Sequence, residues 1–345
     1  MLALLALPSL VLAAEVTDMP PALRGDAELS YAGAYFSGPL VEDGERIIGA
    51  RRQAHSVDLS LAFAVTDGLA ITAGLQTTPS LRVSYTDDGS AMAFDPVNNE
   101  GTYIGGTELG EGPVLSGGGL VGIWLGVAVG PYGRWMKTPE TFSWRLDVAL
   151  RVPNSGGTFI EAADDKRGAA PGGTGLRLSG AFATERAGYE PYMRMVYQNE
   201  SRAVVNIGNP INGDTLIDAT IQAPSTLDLT AGSEFIISDN RESGQRIAFD
   251  LFARAGYRTR GQGASGVYLP SVIPQSRSIV VTTSEHLVAG GGLGLILNPN
   301  EYLGFRLAGD VVAFTPYRVE HPFDVYQAAG THEVTAQLAV RGHIR

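Results

Sequence analysis

The sequence contains no cysteine, and only 18% of its 345 residues are charged. The lack of cysteine excludes a disulfide-stabilised scaffold, a zinc–thiolate site and a cysteine nucleophile. No apolar run approaches the roughly 18 residues of a transmembrane helix. A net charge of −11 argues against a nucleic-acid partner, because nucleic-acid-binding surfaces are basic. Intrinsic disorder is excluded as well, since 44% of the residues are hydrophobic.

The first fourteen residues, MLALLALPSLVLAA, are apolar and uncharged. Val11 and Ala13 occupy the −3 and −1 positions of a cleavage site, a pattern typical of a secretory signal peptide. We therefore predict a signal peptide over residues 1–13, a short periplasmic segment over 14–25 and a transmembrane barrel over 26–345. The alternative interpretation of the first residues is a buried strand or helix.

Apolar and polar residues alternate along most of the chain after residue 25. In Phe142–Arg151, aromatic and aliphatic residues occupy one face, and charged residues such as Asp147 occupy the other. Arg246–Arg258 repeats the pattern, with Asp250 on its polar face. A period of two over ten or more residues indicates strands with one apolar and one polar face.

The links between these strands alternate in length. We predict about twelve strands, with fourteen as the alternative, near 26–36, 52–65, 69–82, 118–129, 140–152, 173–184, 189–201, 224–237, 245–259, 284–296, 301–314 and 331–343. Short polar links fall at 66–68, 131–139, 185–188, 238–244 and 298–300. Long links fall at 37–51, 83–117, 153–172, 202–223, 260–283 and 315–330. Tight turns at one end and long loops at the other are typical of an up-and-down membrane barrel.

A soluble sandwich or propeller would also have many strands and glycine-rich turns. The strands here are longer than the soluble average of about five or six residues, and their polar faces carry full charges that a core between two sheets would not accept. We therefore predict an all-β fold, a transmembrane antiparallel up-and-down barrel with an apolar exterior. Aromatic residues near strand ends fit an interfacial girdle, namely Tyr31, Tyr35, Tyr189, Tyr257, Tyr302 and Phe314.

In these features the chain resembles the bacterial outer-membrane β-barrel class over essentially everything after the signal peptide. The resemblance implies a place in the outer membrane of a Gram-negative bacterium, with outer-membrane lipid and the barrel assembly machinery as partners. Members of the class usually end in an aromatic residue, whereas this chain ends Gly342-His343-Ile344-Arg345. That departure concerns the assembly signal more than the fold.

Three short segments resemble the FadL-type transporters of hydrophobic compounds. They are Ala223–Gly232, Leu269–Arg277 with the glycine-rich strand that follows, and Val127–Gly133. The resemblance implies passive uptake of hydrophobic molecules through a lateral opening. The family usually has fourteen strands and an N-terminal plug, whereas this chain offers about twelve strands and only Met19-Pro20-Pro21-Ala22. No binding residue can be transferred from the family.

If the polar face of each strand points inward, the barrel interior holds a mixture of arginines and carboxylates. We predict pore-lining positions at Arg145, Asp147, Arg151, Arg177, Arg194, Asp228, Arg246, Asp250, Arg254, Arg258, Arg306 and Asp310. One interpretation is a lattice of ion pairs that stiffens the wall, because the planar guanidinium pairs well with carboxylates. The other is a solute pathway in which the arginines bind or screen anionic groups.

The sequence offers little for other chemistry. The 83–117 link contains Asp87, Asp88 and Asp95, which are candidate Ca²⁺ ligands, although their spacing does not match a calcium-loop motif. There is no histidine pair with zinc spacing, no G-x-S-x-G nucleophile elbow and no Walker loop. We therefore predict no catalytic residue, no cofactor and no enzyme activity.

The leading functional prediction is an outer-membrane passive channel or transporter for small molecules, hydrophobic ones included. The alternative is a structural or surface-interaction barrel with a closed lumen, in which the acidic loops form the contact surface. A barrel hydrolase is the third possibility, and it would need an activated serine that the sequence does not reveal.

Overall fold

A computed structural model describes residues 17, 19–42, 45–87, 92–95, 100–103, 115–131, 142–152, 158–160, 173–208, 216–240, 243–264, 280–320 and 325–344. The signal peptide predicted over residues 1–13 lies outside these ranges. Within them, no helix is long and apolar enough to cross a membrane. All regular structure in the described residues is β-strand.

The strands are numbered in chain order. They are β1 (Gly25–Glu42), β2 (Glu45–Thr66), β3 (Leu69–Asp87), β4 (Met92–Asp95), β5 (Glu100–Tyr103), β6 (Leu115–Val129), β7 (Phe142–Val152), β8 (Thr158–Ile160), β9 (Gly175–Thr184), β10 (Tyr189–Glu200), β11 (Ala203–Gly208), β12 (Leu216–Ile221), β13 (Thr226–Asn240), β14 (Gln245–Arg258), β15 (Gly261–Ala264), β16 (Val280–Thr283), β17 (His286–Asn300), β18 (Leu303–Phe314), β19 (Tyr317–Glu320), β20 (Val325–Ala328) and β21 (His332–Ile344).

Twelve of these strands form one closed antiparallel barrel, in the order β1-β2-β3-β6-β7-β9-β10-β13-β14-β17-β18-β21. The first and last strands close the ring, in a register that runs from Gly25 opposite Ile344 to Ser37 opposite His332. The predicted fold class is therefore confirmed, with twelve barrel strands and not fourteen. Closure leaves the spanning wall without an open sheet edge, which a barrel in lipid requires.

The barrel strands lie where the alternation placed them, but the first hairpin is longer than predicted. β1 and β2 pair up to Glu42 opposite Glu45, with one register shift between Leu40 and Val41, so strand replaces most of the link expected at 37–51. The predicted link included Gly38 and Pro39. Gly38 instead lies in the strand facing Thr331, and a Cβ at Gly38 would be only 2.1 Å from the Thr331 Cγ2.

The remaining strands all lie in the long links. The barrel wall is extended at the long-loop end by β15, β16, β19 and β20. β20 joins β1 through the pairing of Leu40 with Ala328. β8, β11 and β12 form a three-stranded sheet, and β4 pairs with β5. These strands are three to six residues long, so each shows too few alternations to be recognised from sequence.

The two surfaces of the wall differ sharply in chemistry. On β7, the outward side chains Phe142, Trp144, Leu146, Val148 and Leu150 are 38 to 60% exposed. The inward residues of β14 are buried except for the half-buried Gly256, and they include arginines and an aspartate. An exterior this apolar would be a liability in water, whereas it is what a lipid bilayer requires.

The predicted aromatic girdle is partly wrong. Tyr31, Tyr189, Tyr257 and Tyr302 are exposed. Phe314, however, is buried inside the barrel, with its ring centroid 5.6 Å from that of Phe36. The reason is parity, because the even-numbered residues of β18 point inward and Phe314 belongs to that set.

The exterior predicts a depth-dependent cost for added charge. Leu251 lies mid-way along β14 and is 53% exposed, whereas Ile237 lies near the turn-side end of β13 and is 68% exposed. We expect Leu251→Arg to lower the unfolding free energy in lipid vesicles by about 2–4 kcal/mol, and Ile237→Arg by about 0–1 kcal/mol. Denaturant titration of the refolded variants measures both, and equal costs would contradict a membrane-embedded exterior.

Candidate solute pathway through the barrel

One arc of the barrel interior, from β10 to β18, is filled by ion pairs. Nearest the short turns, Arg246 donates from both terminal nitrogens to the Glu190 carboxylate, at 3.0 Å each. Arg246 also donates to Glu234 Oε2 at 2.5 Å. All three side chains are buried, and the bidentate geometry is the strongest form of this pairing.

A second group lies one step further along the strands. Arg306 donates to Asp250 Oδ2 at 2.7 Å, and the Tyr192 hydroxyl donates to Asp250 Oδ1 at 3.1 Å. Glycine makes this contact possible on the intervening strand, because a Cβ at Gly232 would lie 2.5 Å from the Tyr192 oxygen. A small residue on the inward face of one strand thus makes room for a large one from its neighbour.

A third group completes the arc towards the long loops. Arg254 bridges two carboxylates, with 3.2 Å to Asp228 Oδ1 and 3.5 Å to Asp310 Oδ2. Arg258 donates to the same Asp228 oxygen at 2.8 Å. The inward face of β17 is glycine at this level, and a Cβ at Gly292 would lie 2.7 Å from the Asp310 Cβ. The glycine run in β17 therefore serves close packing.

At the long-loop end of the interior, aromatic residues lie beside a further buried ion pair, in which Arg52 donates to Glu333 Oε2 at 2.5 Å. The His286 ring stacks on Tyr317, with centroids 4.3 Å apart, and the Arg52 guanidinium lies 5.4 Å from the centroid of Phe36. Tyr317 belongs to β19, outside the spanning strands. Its burial raises the pKa of the phenol well above the usual range.

The opposite arc of the interior contains a cavity of about 210 Å³. β1 and β2 contribute Asp26, Glu28 and Asp58 to its lining, while Trp124 and Arg177 come from β6 and β9. In all, its lining includes the carboxylates Asp26, Glu28, Asp58 and Asp147 and the guanidinium groups of Arg145, Arg177, Arg194 and Arg341. The described part of the barrel is therefore packed on one side and open on the other.

Some of the charged side chains around the cavity form ion pairs with residues on the same strand or on an adjacent strand. Arg145 donates to Asp147 Oδ1 at 2.7 Å, and the Ser179 hydroxyl donates to Asp147 Oδ2 at 3.1 Å. Arg341 donates to Asp26 Oδ2 at 2.6 Å. Further round the ring, Arg151 and Glu200 form an ion pair of 2.7 Å.

The segment before β1 enters the barrel at the short-turn end. Met19 is buried against Ala64, Ala70 and Ala128, which are inward residues of β2, β3 and β6. The buried Thr17 hydroxyl lies 2.8 Å from the Ser143 hydroxyl on β7. The segment thus covers part of the inner wall at this mouth. Its assignment to the periplasm, within the predicted 14–25 segment, stays a prediction.

The structure brings the twelve predicted pore-lining residues to the inward face. Eight of them are buried, namely Arg151, Asp228, Arg246, Asp250, Arg254, Arg258, Arg306 and Asp310, and the other four are half-buried beside the cavity. Their role in lining a pore stays a prediction. Asp88 lies outside the described residues, and the side chains of Asp87 and Asp95 are not described. Elsewhere in the described chain, no cluster of three or more metal-ligating side chains occurs.

Sequence reasoning missed several interior residues that complete these groups. Glu190 and Tyr192 share the inward face of β10 with Arg194, so the parity of the strand was sufficient to find them. Trp124 carried no such signal. It resembles the apolar exterior residues beside it, and only the structure shows its ring under the Arg177 guanidinium.

Similarity to known proteins lies in structure alone. No family model matches the chain, and no curated protein matches its sequence. The crystal structure of the COG4313 outer membrane channel from Pseudomonas putida F1 covers 95% of this chain and 98% of its own, at 11% identity and a TM-score of 0.50. The fold is that of an outer-membrane β-barrel.

Two further structures align with lower scores. A deletion mutant of the TodX monoaromatic hydrocarbon channel covers 96% of this chain and 93% of its own, at 10% identity and a TM-score of 0.43. A Pseudomonas aeruginosa FadL homologue covers 93% and 90%, at 9% identity and a TM-score of 0.37.

The ion-pair arc predicts a large difference between two arginine variants. Arg246→Ala removes the guanidinium that pairs with the buried carboxylates of Glu190 and Glu234, so we expect a loss of about 3–5 kcal/mol in unfolding free energy. Arg260 pairs with Glu320 at the surface and is 64% exposed, so Arg260→Ala is the matched control and should cost about 0–1 kcal/mol. Denaturant unfolding in vesicles measures both. Equal small losses would show that the Arg246 group does not stabilise the barrel.

Proposed function

We propose that this protein is a passive channel for small polar solutes in the bacterial outer membrane. The observation that carries the proposal is the cavity of about 210 Å³ inside a closed barrel whose exterior is apolar. A polar interior within a lipid-compatible wall is the arrangement of a barrel that conducts solutes. The shared fold with an outer membrane channel agrees with it. Outer-membrane lipid and the assembly machinery are the partners that this location requires.

The cavity favours polar solutes over the hydrophobic ones suggested by the FadL resemblance. Its lining carries eight charged groups. An apolar molecule among them would displace water from charged groups without replacing the lost hydrogen bonds, which is unfavourable. A solute with hydrogen-bonding groups restores those bonds.

A closed structural barrel is the competing function, and the filled arc between β10 and β18 is the observation in its favour. Ion pairs occupy that side of the interior from Arg246 to Arg258. If similar packing extended across the cavity, the barrel would carry no current.

Conductance of the purified, refolded full chain in planar lipid bilayers separates these functions. A channel gives stable current steps, and the segment around Met19 should limit their size. Met19→Asp places a carboxylate among buried alanines, which penalises the docked position of the segment. We therefore expect this variant to give larger steps than the wild-type protein.

Leu23→Asp is the matched control. It introduces the same charge in the same segment, at a side chain that is exposed and with a backbone φ of 62°, which aspartate tolerates. Its steps should equal those of the wild-type protein. Silence from the wild-type protein and from Met19→Asp, with folding verified by heat-modified gel mobility, would reject the channel and favour the closed barrel.

A further inference from the structure

Two buried polar atoms in the lining of the cavity, Asp58 Oδ1 and Trp124 Nε1, have no hydrogen-bond partner among the described residues. Within the described chain, Asp58 accepts no hydrogen bond at its buried Oδ1, and no cation lies within ion-pair distance. The Trp124 indole, whose side chain lines the same cavity, is only 5% exposed, and its Nε1–H has no acceptor among the described residues. Asp250, in contrast, is contacted by both Arg306 and Tyr192.

Arg177 is the third group with little compensation. Its guanidinium lies over the Trp124 ring, 4.2 Å from the centroid. It donates from Nε and Nη2 to Gln198 Oε1, and both bonds are long at 3.3 Å. No described carboxylate comes within 4.0 Å of the Arg177 guanidinium. Buried groups in native proteins are normally satisfied, so a donor and an acceptor that share one cavity point to a missing occupant.

We propose that the cavity binds a small zwitterion, a molecule with an ammonium group and a carboxylate a few bonds apart. The ammonium donates to Asp58. The carboxylate accepts from Arg177 and from the Trp124 indole. This inference rests on the proposed function, since it names the class of solute that the channel takes.

Charge balance and size support a zwitterion over a simple ion. The lining carries four carboxylates and four guanidinium groups, so an added cation or anion would leave an uncompensated charge in the interior. The cavity of about 210 Å³ greatly exceeds the roughly 10–15 Å³ that one water needs on this measure. It therefore has room for one small solute with its hydrating waters.

Glycine is the simplest probe, and Trp124 is a built-in reporter. The chain has three tryptophans, so Trp135→Phe and Trp144→Phe leave Trp124 alone to report on the cavity. Glycine is titrated into the refolded full chain while indole fluorescence is recorded. Methylammonium, acetate and ethylene glycol are titrated separately as the cationic, anionic and uncharged parts of the same chemistry.

We expect glycine to give a saturable fluorescence change, and each partial probe to bind at least about tenfold more weakly. In the same background, Asp58→Asn should weaken glycine binding by about tenfold or more, because the charge-assisted hydrogen bond is lost. Asparagine has the same shape and removes an unpaired buried charge, so this variant should fold. Glu285→Gln removes a carboxylate from an exposed link and is the control, with unchanged binding expected.

Three outcomes overturn the inference. The first is that glycine gives no saturable fluorescence change in folded protein. The second is that methylammonium or acetate binds as tightly as glycine. The third is that Asp58→Asn and Glu285→Gln bind glycine with equal affinity. Conductance of the same preparations separates this failure from that of the proposed function. Current without glycine binding rejects the zwitterion site and keeps the channel. Glycine binding without current keeps the site and rejects the channel.

Discussion

Backbone hydrogen bonding around a closed ring is the constraint on which the rest of this structure depends. Within lipid, no water is present to satisfy an unpaired peptide group, so the last strand must return to the first. The pairing of β1 with β21 achieves this over the span from Gly25 to Ser37. Once the ring is closed, the pleat of each strand points successive side chains alternately towards lipid and towards the interior. The alternation of apolar and charged residues follows from that choice.

The interior then has to accommodate many charges in a small space, and its two sides do so differently. Between β10 and β18, arginines bridge carboxylates, and glycines on adjacent strands supply the room, as at Gly232 beside Tyr192. Around the cavity, Asp58 and Arg177 are not joined in this way. The packed side favours a stable wall, while the less compensated side is where a solute gains most by binding. The packing that stabilises the wall and the proposed solute site thus occupy separate arcs.

Much of the fold was predictable because period-two alternation over ten or more residues is a strong local signal, as in β7 and β14. The pairing of Arg254 with Asp310 was not, since it depends on the register of three strands. β19 is too short to alternate visibly, and Phe314 was misplaced because its aromatic character outweighed its parity. The cavity exists because side chains from several strands do not contact one another across the interior. The docking of Met19 requires three alanines that are far apart in the sequence. Neither leaves a local pattern.

Spin-label accessibility along β14 tests the central claim, that one face of the wall contacts lipid while the other faces a polar interior. The chain has no cysteine, so single substitutions at successive positions from Ile247 to Gly256 each carry a unique label. We expect high oxygen accessibility at the odd positions Ile247, Leu251 and Ala255, and low accessibility at the even positions Ala248, Phe252 and Gly256. Uniform accessibility, or contact of the odd positions with a water-soluble relaxation agent, would contradict it.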